Sequence, residues 1–140
     1  MKREEKYRDH KYFHYYNANN HNHKVGDCVV RAIATATQQS WEKVYDGLYK
    51  IGRHYGYMPN DDQCIKKYLT GLGWEKMKEP RDVNNKKIDV IRFIDYYWPE
   101  DHRSVIANVG SHHMVAINEG VVHDIWDSSR QTMHSYWIKK

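Results

Sequence analysis

Residues 24–45 read "KVGDCVVRAIATATQQSWEKVY", and the fold turns on how Cys28 is understood within them. From Val29 the apolar side chains recur at Val29, Ala32, Ile33 and Ala36, the i, i+3, i+4, i+7 spacing of one helical face. Cys28 therefore stands at a helix start, near the positive end of the backbone dipole and near amides that lack intrahelical partners. Both features favour the thiolate, the reactive form of cysteine, and the Cys28 amide is placed to meet a developing oxyanion. Asp27 opposes this by its charge unless it is spent on capping the helix, with Gly26 giving the chain freedom to turn before it. Against the reactive reading stands the tendency of free cysteine to serve as a small buried hydrophobe. Cys64, beside Ile65 and Tyr68, reads as packing.

Working outward, Ser40 is a natural N-cap for a second helix through Trp41, Val44, Tyr45, Leu48 and Ile51, with Gly52 as its stop. A third helix carries Ile65, Tyr68, Leu69 and Leu72 and ends at Gly71 or Gly73. A fourth runs from about Ile88 to Tyr97 and halts before Pro99. The last third changes period. "SVIANVG", "HHMVAIN", "GVVHDIW" and "MHSYWIK" are short, rich in Val, Ile and Tyr, and separated by turn residues, so they read as strands. Helices followed by an antiparallel sheet define an α+β domain over residues 24–140. Residues 1–23 show neither helix nor strand pattern and read as a polar arm whose aromatics Tyr12, Phe13, Tyr15 and Tyr16 lie across the domain surface.

A cysteine nucleophile needs a base, and the base needs a group that fixes its tautomer. The segment "SHHMVAINEGVVHDIWD" at 111–127 offers both. A two-residue turn at Glu119-Gly120 sets His113 opposite Trp126, with Asp124 one diagonal step away and within hydrogen-bonding reach. Asp127 competes for the role. Alternation groups His113 with Val115 and Ile117, and His112 with Met114 and Ala116, which favours His113 as the base. Arg31, one near-turn past Cys28, reads as a helix-surface arginine paired with Asp27 or Glu42. Trp41, Trp74, Trp98 and Trp137 read as core or core-edge residues.

The composition narrows the alternatives. Lys and Arg exceed Asp and Glu by 22 to 18, and the charges are scattered, which argues against a nucleic-acid surface. The histidines lack the i, i+4 pair or cysteine partners of a zinc motif, so no metal is expected. No window approaches the ~20 apolar residues of a membrane span, and no signal-peptide core is visible, so a cytoplasmic setting is expected. Two cysteines without Cys-x-x-Cys spacing fit a reducing compartment.

The order of a helix-start Cys in "GDCVVRAIATAT", a strand-opening His in "HMVAI", an acid two residues before Trp in "EGVVHDIWDSS", and a closing "YW" resembles the papain-like cysteine peptidases. It is closest to small papain-fold proteins of bacteria and their phages, over residues 26 to about 137. The "Gly-Ser-Cys-Trp" context of papain itself is missing, and the chain is much shorter than the papain catalytic domain. The resemblance implies Cys28 as nucleophile, His113 as general base and acid, and Asp124 as the orienting residue, with Asp127 as the alternative. It also implies Trp126 as a shield over the His/Asp contact and, six residues before the nucleophile, Asn22 as an oxyanion donor, a place Asn20 or His23 could fill. Such a site hydrolyses an amide or isopeptide bond of a protein or peptide substrate without a cofactor. The same fold without turnover would be a binding protein, for example a phage factor that sequesters a host protein.

Overall fold

The computed structural model describes residues 1–140. Six strands form one mixed sheet flanked on both faces. The elements, in chain order, are α1 (Arg3–Lys6), β1 (Phe13–Tyr15), α2 (Cys28–Thr37), α3 (Trp41–Tyr55) and α4 (Asp62–Gly71). They are followed by β2 (Trp74–Met77), α5 (Val90–Tyr96), β3 (Ser104–Val109), β4 (His113–Asn118), β5 (Val121–Asp124) and β6 (Met133–Lys139). The strand order is β1-β5-β4-β3-β6-β2, with all neighbours antiparallel except β1 and β5.

Alternation along the strands builds two cores. Ile106, Met114, Ala116 and Trp137 face α2, α3 and α4, where they meet Ile33, Val44, Leu48, Ile65 and Leu69. Val105, Ala107, Val115, Ile117 and Val122 face the other way, onto Phe13, Ile88, Val90 and Phe93. A sheet covered on both faces explains the nearly unbroken apolar runs of β3 and β4.

Three expectations are corrected. The arm is not patternless: it supplies the edge strand β1, whose Phe13 is fully buried, and so the sheet is mixed rather than antiparallel. Three residues are too few for periodicity to register, and their partners lie more than a hundred residues away. The second helix does not stop at Gly52 but continues to Tyr55 and ends at Gly56, in the left-handed conformation (φ 82°). A Cβ at Gly52 would lie 2.4 Å from the Tyr57 carbonyl oxygen, so glycine there serves the close return of the chain rather than a cap. Asp27 makes no side-chain cap on α2.

The β4–β5 hairpin positions the site. Asn118 pairs with Val121, Ile117 with Val122 and Ala116 with His123. Glu119 and Gly120 both have positive φ (51° and 78°), as a two-residue turn with right-handed strand twist requires. The β4–β5 pairs end at Ala116 and His123, three positions short of His113, so this register does not by itself pair His113 with Asp124. No helix is long and apolar enough to cross a membrane.

Candidate active site

Cys28 is the first residue of α2, and α2 packs its length against β4, so the thiol comes to rest beside the start of that strand. There it faces His113, the first residue of β4, closely enough that each group stabilises the other's charged form. His113 Nε2 is 2.6 Å from Asp124 Oδ2, at the last residue of β5. With Nε2 so engaged, Nδ1 is the nitrogen left for the thiol. The Trp126 ring lies against the imidazole, centroids 4.8 Å apart and tilted by 49°.

The electrostatics suit an ion pair. Burial pushes the Cys28 thiol up. The neighbouring His113 imidazole and Met114 N–H, together with the charges of His113 and Arg31, outweigh it and leave the thiol below its ordinary value. Burial pulls His113 down, but its hydrogen bonds to Asp124 and Cys28 and their charges raise it to about 9. Cys64 shows the contrast. It is fully buried, donates to the Leu48 carbonyl at 3.1 Å, and burial pushes its thiol up.

The structure thus brings together Cys28, His113, Asp124 and Trp126, and leaves the other candidates elsewhere. Asp127 accepts from Ser129 Oγ at 2.6 Å and lies 2.6 Å from His10 of the arm, away from His113. His112 is exposed, with a left-handed backbone (φ 58°) in the tight turn before β4. Asn22 is exposed, also with positive φ (56°), and does not line the cleft at Cys28. Asn60, on the loop before α4, stands instead on the rim beside Cys28.

That cleft, of about 550 Å³, is polar: Lys76, Asn108, Ser111, His112 and His134 line it beside the catalytic candidates. On the other side of the α2 N-terminus lies an apolar groove of about 300 Å³ with Val25, Val29, Trp41, Tyr45 and Met58. Cys28 opens into the polar side. No three His, Cys, Asp or Glu side chains are gathered as a metal site.

The feature that residue spacing missed is Arg31. It is not on the helix surface; it is 7% exposed, its Nε donates to Asp27 Oδ1 at 2.8 Å, and its Nη1 donates to Asp124 Oδ1. Asp27 also accepts from Trp41 Nε1 at 2.9 Å and from Asn19 Nδ2 at 3.3 Å. The i, i+4 spacing of Asp27 and Arg31 was visible, but no local signal tells that the strand carrying Asp124 will close over them.

No family model matches the chain, and comparison with curated proteins and with solved structures likewise returns no match.

Proposed function

We propose that the chain is a cysteine-dependent hydrolase of papain-like type, acting on an amide or isopeptide bond of a protein or peptide. The supporting observation is the single constellation of a thiol lowered at a helix start, an imidazole raised to about 9, and a carboxylate 2.6 Å from the imidazole's far nitrogen. The Cys28 thiolate attacks the carbonyl carbon, and its own backbone N–H at the α2 N-terminus donates to the oxyanion. His113 gives its Nδ1 proton to the leaving nitrogen, the C–N bond breaks, and a thioester remains on Cys28. Water then loses a proton to His113 and attacks the thioester, releasing the carboxylic acid and restoring the ion pair. Asp124 keeps the imidazole in one tautomer and orientation, and Trp126 shields that contact from water.

The test needs no substrate. Alkylation of Cys28 by iodoacetamide at pH 6, followed by mass spectrometry of the Cys28 peptide, should run about tenfold or more faster in the wild type than in His113→Ala, since the thiolate is the species alkylated. Equal rates, both those of an ordinary thiol, would overturn the proposal and leave a papain-like binding module.

A further inference from the structure

We infer that Arg31 is a positioning residue of this site: its guanidinium, clamped between Asp27 and Asp124, holds the Asp124 carboxylate in the orientation that keeps His113 turned toward Cys28. The inference rests on the proposed function above and concerns how that site is kept assembled.

The two oxygens of Asp124 are divided between two partners. Oδ1 accepts from Arg31 Nη1 and from the Ile125 N–H, which leaves Oδ2 for His113. Asp124 lies beyond the last β4–β5 pair, so the hairpin does not by itself set its side chain against His113. Arg31 supplies that constraint from the helix. Its other contact is Asp27, the residue joined by a peptide bond to Cys28. The contacts therefore close a ring: Cys28, Asp27, Arg31, Asp124, His113 and back to the thiol. Through this ring the spacing between nucleophile and base is fixed by one planar fork.

The charges around the fork agree. Asp27 and Cys28 approach it from α2, Asp124 from β5, His113 through Asp124 from β4, and Tyr15 from β1. Asp27 and Asp124 are both buried, and without the guanidinium two carboxylates would share one desolvated space. A lysine would keep the positive charge, but a single ammonium lacks the fixed geometry that serves two carboxylates on opposite sides.

The experiment compares the pH dependence of Cys28 alkylation in the wild type, Arg31→Lys and Arg31→Met, with the melting temperature of each. A merely structural arginine would change the melting temperature and leave the Arg31→Lys inflection in place, whereas Arg31→Met moves it through loss of charge alone. Positioning predicts that both variants move the inflection upward and lose about tenfold or more in rate at pH 6. An Arg31→Lys profile that coincides with the wild type would show that charge alone suffices and would overturn the inference. Should Arg31→Met fail to fold, Arg31→Lys alone carries the comparison. A wild-type Cys28 that already reacts as an ordinary thiol overturns the proposed function and this inference together, whereas a reactive wild type matched by Arg31→Lys overturns the inference alone.

Discussion

Asp124 couples two tasks in one side chain, since it is 2% exposed and bonded to both Arg31 and His113. The folded state raises His113 to about 9, so the stability it contributes is complete below the unfolded value of ~6.5 and disappears as the pH rises through about 9. Cys28, lowered by the fold, contributes above its ordinary value and loses that contribution as the pH falls through its folded one. The thiolate–imidazolium pair thus exists between these limits. Asp124→Asn keeps the shape and removes the charge. The His113 ring protons, followed by NMR, should then titrate well below 9, and the protein should lose about 3–5 kcal/mol, the usual cost of breaking a buried pair from one side. An unmoved His113 midpoint would exclude Asp124 as the group that sets it. Arg31 illustrates why such roles are hard to read locally: its spacing from Asp27 was plain, whereas its burial depended on a strand 93 residues away.

At the scale of elements, the Ser40 helix start and the hairpin turn were the readable parts. Ser40 caps α3 by accepting from the Lys43 N–H at 3.1 Å, and Glu119-Gly120 makes the turn that pairs β4 with β5. Gly52 was misread because glycine's meaning depends on what comes near it. Inside α3 it lies under the returning Tyr57 backbone, a contact that no helical pattern announces. Gly52→Ala should therefore destabilise the protein by about 1–3 kcal/mol, the range for forcing extra volume into a packed site, despite alanine's better helix propensity. Chemical denaturation checks the sign. A stabilised variant would mean that the Tyr57 turn yields freely. β2 went unread for a similar reason, since four residues with one buried Trp74 become a strand only by pairing with β6.

For the whole molecule, the arm is the decisive correction. Phe13, buried at 0% exposure within the second core, and β1 against β5 make the first residues part of the fold rather than an appendage. Phe13→Ala should cost about 3–5 kcal/mol in a denaturation experiment, as the loss of a core phenylalanine does, whereas a surface aromatic would cost little. The arm also braces the site from behind: Tyr16 N–H donates to the Asp124 carbonyl at 2.9 Å. The sequence by itself determined helices α2 to α5 and strands β3 to β6 with their hairpin, because these rest on periodicity, caps and turn residues that act within a few positions. It also singled out Cys28 and His113, with Asp124 within reach, since a helix start and a two-residue turn carry predictable geometry, whereas Trp126 as a shield came from the resemblance. Only the tertiary structure decided the edge strand from the arm, the choice of Asp124 over Asp127 as the partner of His113, and the buried guanidinium that joins Asp124 to the residue before Cys28. Those outcomes depend on which distant segments exclude water together, and burial of a charge is a property of the assembled neighbourhood, not of the residue that carries it.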